Sequence, residues 1–351
     1  MAGELSAEAA REIRQLQKSK ERSRRLGSTT DQAAACNHLG EVLAAHGRYE
    51  EALEEHREEL RLLEGARDLL GCAVAHRKIG ERLAELRRFP AALRHQRLHL
   101  SLAQELGNAT EQQRAWATIG RTFIEAPEGS QRSRMSREAL AALHQAQEAF
   151  QTSLDIVETE LEGRLPSRDV AEMRSRLFLN LGLIQESLGH PGECARLLRE
   201  SARLAQECHL LEDQFRAHFN LGLLQQRGGD LGAALGNLGR AQSCAQGLRE
   251  RGLEGDCCQQ RAQVLLALGD FGGARRALRR ALALGTPGHP QSRSLRDSLR
   301  HASRVCRALR ALPGCAPGQA LALCERLGDS LARLGLFRRA LHYYQRQVGT
   351  A

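Results

Sequence analysis

A Leu-Gly or Ile-Gly pair that returns at a fixed period constrains this chain more than any other feature. It stands at Leu39-Gly40, Ile79-Gly80, Ile119-Gly120, Leu181-Gly182, Leu221-Gly222 and Leu327-Gly328, at spacings of 40, 40, 62, 40 and 106 residues. Ala262 lies 40 residues after Gly222, which puts a further unit in the last gap and leaves room there for an insertion. Seven repeats result, and a period of about 20 to 50 residues means stacked supersecondary units.

Two further marks recur at fixed offsets from the anchor glycine. Seven residues on comes a turn glycine (Gly47, Gly189, Gly229, Gly269, Gly335), replaced by Arg87 in the second repeat. Twelve residues on comes a small residue: Ala52, Ala92, Cys194, Ala234, Ala274 or Ala340. Glycine enters the left-handed region without steric cost, so the first mark suits a cap that ends a helix. The anchor and the small residue let two antiparallel helices approach closely. Apolar residues recur at helical spacing, as Leu39, Leu43 and Leu53 do in the first repeat and Leu221, Leu235 and Leu238 in the fifth. Each repeat is therefore predicted to be a helical hairpin. A lone hairpin cannot hide its apolar stripe, so neighbours must stack.

The expected fold is all-α: a tetratricopeptide-type α-solenoid, a right-handed superhelix of about seven hairpins with one concave wall. Its period exceeds the usual repeat of about 34 residues and implies extended helices. Ala, Leu, Arg, Glu and Gln dominate and only 3% of residues are aromatic, a composition that favours helix. Residues 1–26 are expected to form a capping helix and 27–284 to hold repeats one to six, with insertions near 125–136 and 162–169. A basic, Pro/Gly-flanked insertion with its own helix is expected over 285–318, and a seventh repeat over 319–351.

No apolar run reaches the roughly 18 to 20 residues that span a bilayer, and residues 1–10 lack the apolar core of a signal peptide. The chain is expected to be soluble and intracellular, with no membrane partner. Its ten cysteines form no CxxC pair, so they read as reduced, buried small hydrophobes; no metal and no cofactor is expected.

In tetratricopeptide geometry the first helix of each hairpin lines the groove. Positions six and two before the anchor glycine and one after it give Arg114, Thr118 and Arg121 in repeat three, Arg176 and Asn180 in repeat four, and Arg216 and Asn220 in repeat five. Lys78 extends the strip, and Glu41 and Glu81 give that end a mixed sign. Asn binds a peptide amide through donor and acceptor and Arg grips carboxylates bidentately, so the partner expected is a protein with an acidic or extended peptide segment. The alternative is a set of merely solvated residues on exposed helices.

The formal net charge of +9 has a local source. Between Phe271 and Arg310 ten arginines stand against the single acid Asp297, which alone accounts for +9. Arg296, Arg300, Arg304 and Arg307 step along one helix face and suit phosphate or an acidic tail. No aromatic residue interleaves them for base stacking, which argues against direct nucleic-acid contact. Arginine outnumbers lysine 48 to 3, a bias that compositional drift also explains. The chain has no HExxH, no GxSxG and no phosphate-binding glycine loop, so no catalysis is expected. His38, His76 and His218 fall within repeat helices, and Trp116 is expected in the core.

The strings Gly71–Glu85 (GCAVAHRKIGERLAE), Gln113–Thr122 (QRAWATIGRT), Glu172–Leu188 (EMRSRLFLNLGLIQESL) and Phe215–Gly222 (FRAHFNLG) resemble the N-terminal repeats of the Tonsoku-like family. The resemblance runs from about residue 10 to the end. It implies a nuclear scaffold that works with a large partner subunit, promotes homologous recombination at stalled or broken replication forks, and associates with histones, histone chaperones and the replicative helicase. Family members continue into an acidic stretch, ankyrin repeats that read histone and leucine-rich repeats that hold the partner subunit. None of these lies within residues 1–351, so the chain reads as a fragment or truncated form and no histone-reading residue carries over. A second resemblance, through the 40-residue period and the Asn-Leu-Gly strings, is to cytoplasmic tetratricopeptide adaptors of cell polarity and spindle orientation.

Overall fold

The computed structural model describes residues 7–126, 137–285 and 290–349. Among them are sixteen α-helices and no strand. The chain divides into two compact units, Met1–Cys194 and Ala195–Ala351.

The first unit opens with α1 (Ala7–Leu26) and continues as the hairpins α2 (Thr29–Ala45) with α3 (Tyr49–Ala66), α4 (Leu69–Glu85) with α5 (Phe89–Glu105), and α6 (Ala109–Glu125) with α7 (Arg137–Ile156). A π-helical turn, Val157–Leu161, prolongs α7, and α8 (Ser167–Ser187) follows. The division at Cys194 falls inside α9 (Pro191–Glu207). The second unit pairs α10 (Leu211–Arg227) with α11 (Leu231–Leu248) and α12 (Arg251–Leu268) with α13 (Phe271–Leu284). The helix α14 (Pro290–Ala311) stands alone before the final hairpin, α15 (Pro317–Arg333) with α16 (Phe337–Gly349).

The turn marks do what their chemistry requires. Gly47, Gly189, Gly229, Gly269 and Gly335 have φ of 73, 85, 84, 88 and 76°, and Arg87 takes the same conformation at 58°. The N–H groups of Gly47 and Arg48 return to Ala44 O and Leu43 O, both at 2.9 Å, which closes the open carbonyls of α2. Several helices start on a side-chain cap: Asp68 on Gly71 N, Asn108 on Glu111 N, Asp230 on Ala233 N and Asp270 on Gly273 N.

The anchor glycines Gly40, Gly80, Gly120, Gly222 and Gly328 sit where the two helices of a hairpin cross. A Cβ built on Gly80 would lie 3.3 Å from Ala92 O, and one on Gly222 would lie 3.4 Å from Ala234 O. The small residue at offset twelve thus presents its backbone to the anchor. A third partner was not read from the sequence: the residue sixteen after the anchor lies over it, as His56 does at Gly40, Gln96 at Gly80, Leu238 at Gly222 and Tyr344 at Gly328. Phe150 fills that place for Gly120, thirty residues on.

α1 caps the first repeat through Ile13 and Leu16 against Leu39 and Leu43. Leu53, Ile79, Leu83 and Ala92 continue the interior of the first unit. In the second, α14 packs Ala302 and Val305 between α12–α13 and α15–α16, against Leu278 and Leu327. The insertion expected near 125–136 lies outside the described residues except for the end of α6, and so do residues 286–289. The 162–169 segment is a turn through Gly163 into α8. Trp116 differs from expectation: it is partly exposed, because Ala115 and Ile119 take the core-facing positions of α6.

Candidate functional site

First helices of successive repeats touch directly, α4 with α6 and α6 with α8 in the first unit and α10 with α12 in the second. Their shared surface therefore joins residues one repeat apart, about 40 in sequence and about 60 between α6 and α8.

In the first unit this surface is a chain of opposite charges. Lys78 donates to Asn37 Oδ1 and lies 3.2 Å from Glu41 Oε1. Glu81 gathers Arg77 at 3.2 Å, Arg82 at 3.6 Å and Arg121 at 3.7 Å. Glu111 receives His99 Nε2 at 2.9 Å and Arg114 at 2.5 Å, with Arg77 Nε 3.8 Å away. Burial pushes the Glu111 carboxyl up, but the His99 hydrogen bond and the Arg114 and Arg77 cations outweigh it and hold it at about 2. Burial likewise opposes ionisation of Glu41, and Lys78, His56 and Arg82 overcome it, so this carboxyl also lies below the usual range.

The residues expected in the groove divide into two kinds. Arg114, Arg121, Arg176 and Arg216 are exposed. Each already has a carboxylate: Glu111 for Arg114, Glu81 for Arg121, Glu172 for Arg176 at 2.6 Å and Glu212 for Arg216 at 2.5 Å. Asn180 is half-buried, and Asn220, also half-buried, donates to Arg216 O at 2.8 Å. Lys78 and Thr118 differ from expectation: both are buried. The Thr118 hydroxyl donates to Ala115 O at 2.9 Å and Arg114 O at 3.1 Å, as a mid-helix threonine does when water cannot reach it. These two side chains hold the surface together and do not line it.

Sequence reasoning missed the polar layer beneath. Gln96 Nε2 donates to Thr122 Oγ1 at 2.8 Å, Gln113 Nε2 to Ser153 Oγ at 3.0 Å, and His76 meets His95 at 2.9 Å between their Nδ1 atoms. The signal available was Gln96, a polar residue at the offset where Leu198 and Leu238 stand in other repeats. Cys36, Glu55 and Glu58 form the one grouping of ligand-type atoms among the described residues. The Lys20 ammonium already sits on both carboxylates at 2.6 and 2.7 Å, and burial pushes the Cys36 thiol up to about 12, so this is an ion-pair cluster.

The basic stripe of α14 also divides. Arg304 and Arg307 line an open groove of about 1510 Å³ between α14 and α15, while Arg296 and Arg300 do not. Arg300 instead pairs with Asp297 at 2.9 Å. Among the described residues no helix is long and apolar enough to cross a membrane.

This architecture and these surfaces define a helical-repeat protein of the tetratricopeptide type, a protein-interaction scaffold. No family model matches the chain. Solved structures with the fold include a Rap protein complexed with Competence and Sporulation Factor (TM-score 0.57, 13% identity, covering 92% of this chain and 75% of that one) and aspartyl phosphate phosphatase F from Bacillus subtilis (TM-score 0.56, 11% identity, 100% and 96%). In sequence the chain is similar to Tonsoku-like protein, at 47% identity in Mus musculus over 97% of this chain, 46% in Bos taurus over 96% and 40% in Danio rerio over 98%. The similarity to Tonsoku-like proteins runs over nearly the whole chain, which spans about a quarter of the length of these relatives.

Proposed function

We propose that the chain is the protein-binding array of a nuclear genome-maintenance scaffold that acts in replication-fork recovery and double-strand break repair by homologous recombination. The observation that carries this reading is the identity of 40 to 47% to Tonsoku-like proteins across nearly the whole chain. The resemblance to the Tonsoku-like family implies histones, histone chaperones, the replicative helicase and a large partner subunit, and chaperones and helicase are the partners proposed for the array. Arg114, Arg121, Arg176 and Asn180 in the first unit, and Arg216 and Asn220 in the second, are the proposed contacts for an acidic or extended peptide. Because each of those arginines starts out paired, a peptide carboxylate exchanges for an internal one. Affinity is then set by fit, and an isolated acidic residue gains little.

Affinity capture of the intact chain from cells under replication stress tests the reading. Recovery of replication proteins and histone chaperones supports it. Recovery of cortical polarity proteins alone overturns it in favour of a cytoplasmic adaptor.

A further inference from the structure

We propose that the groove between α14 and α15 is a second docking site, one that takes an acidic segment of a partner protein. It lies wholly within the second unit and shares no residue with the first-helix surface described above.

Charge imbalance is the main argument. Arg293, Arg304, Arg307, Arg326 and Arg333 line the groove and are exposed. None of the five has a carboxylate within ion-pair distance among the described residues, whereas Arg114, Arg121, Arg176 and Arg216 each have one. Two acids share the lining, and both are engaged: Asp297 with Arg300 at 2.9 Å and Asp329 as acceptor from Tyr344 Oη at 2.8 Å. Five guanidinium groups against two carboxylates leave three positive charges along one depression. Guanidinium forks match carboxylates bidentately, so a row of unpaired arginines favours Asp or Glu side chains in an occupant.

The rest of the lining selects a polypeptide over a nucleic acid. Ala308, Leu323 and Ala332 give the groove an apolar floor between its cations, where an aliphatic side chain of the occupant fits. No aromatic ring lines it, so bases have nothing to stack on. His301 also lines the groove, with its Nδ1 buried and without a partner. Burial first, then the Arg304 and Arg333 charges, push its pKa down, so the ring favours its neutral form and the cations are the arginines.

The test is fluorescence anisotropy of the full chain with a labelled, glutamate-rich peptide of about a dozen residues carrying a central leucine. Saturable binding is expected, weakened at least ~10-fold by Arg304→Glu with Arg333→Glu and less than ~3-fold by Arg296→Glu together with Arg310→Glu, which makes the same charge change outside the groove. Circular dichroism establishes that both double variants remain folded; if the groove variant does not, Arg304→Gln with Arg333→Gln replaces it. Absence of saturable binding overturns the proposal. Equal losses in the two double variants also overturn it, since they mean bulk charge alone. A single-stranded oligonucleotide that binds more tightly than the peptide overturns it in favour of nucleic acid. Saturable binding that neither double variant weakens belongs to the first-helix surface and overturns the groove assignment alone.

Discussion

Replacing Gly120 by Ala puts a methyl group into the crossing of α6 and α7. The new Cβ would lie 2.8, 2.9 and 3.0 Å from three carbons of the Phe150 ring, inside van der Waals contact. Phe150 is fully buried, at 0% exposure, so the ring has nowhere to retreat. Two effects oppose each other. Alanine favours a helix over glycine by ~1 kcal/mol, and overpacking a close-packed site costs ~1 to 3 kcal/mol. With three ring atoms blocked at once the upper end applies, which leaves a net loss of ~2 kcal/mol. Gly236, within α11, is exposed with nothing within 4 Å of its virtual Cβ, so Gly236→Ala shows the helix term alone and stabilises by up to ~1 kcal/mol. Urea unfolding followed by far-ultraviolet circular dichroism reads both variants. Adding Phe150→Leu to Gly120→Ala is expected to recover part of the loss, a coupling that a double-mutant cycle measures. If Gly120→Ala stabilises the chain as Gly236→Ala does, the anchor glycines do not mark helix crossings and the packing argument fails.

Acid should weaken the first unit in two windows. Glu111 titrates at about 2 in the fold against 4.5 for the free residue, so its contribution is complete above pH 4.5 and is lost as pH falls toward 2, amounting to ~3 kcal/mol; Glu111→Gln should flatten that limb of the stability profile. Burial, then His76, Arg57 and Arg94, hold His95 at about 4, so the neutral ring's contribution is present above pH 6.5 and fades as pH falls to 4; His95→Gln should remove this dependence. Lys20→Met removes the ammonium that Glu55 and Glu58 share beside Cys36, and should cost ~1 to 2 kcal/mol and speed proteolysis within α1.

Much of the fold was legible because its determinants are local. A positive φ at Gly47 or Gly229 and a close approach at Gly80 or Gly222 each need a glycine at a fixed offset, and such marks survive in a bare sequence. Even Arg87 could be placed, since neighbouring repeats dictate the turn it makes. The partners sixteen residues past the anchor were not legible, because His56, Gln96, Leu238 and Tyr344 share no side-chain type. The surface was read by position alone, and position does not reveal pairing. Lys78 and Thr118 sit at groove offsets yet turn inward, Lys78 because Asn37 and Glu41 lie one repeat away and Thr118 because its own helix carbonyls accept its hydroxyl. The α14 arginine stripe meets the groove over half its length: Arg304 and Arg307 line it, and Arg296 and Arg300 do not. The groove itself follows 293, 297, 301, 304 and 308, which arginine positions alone do not trace.

Site-specific photocrosslinking in cells tests most directly whether this array binds proteins through its first helices. A photoreactive residue at Arg121, exposed on α6, should give discrete adducts with partner proteins, and one at Arg97, exposed on the second helix α5, should give few or none. Adducts at Arg97 with none at Arg121 would contradict the assignment of the binding face.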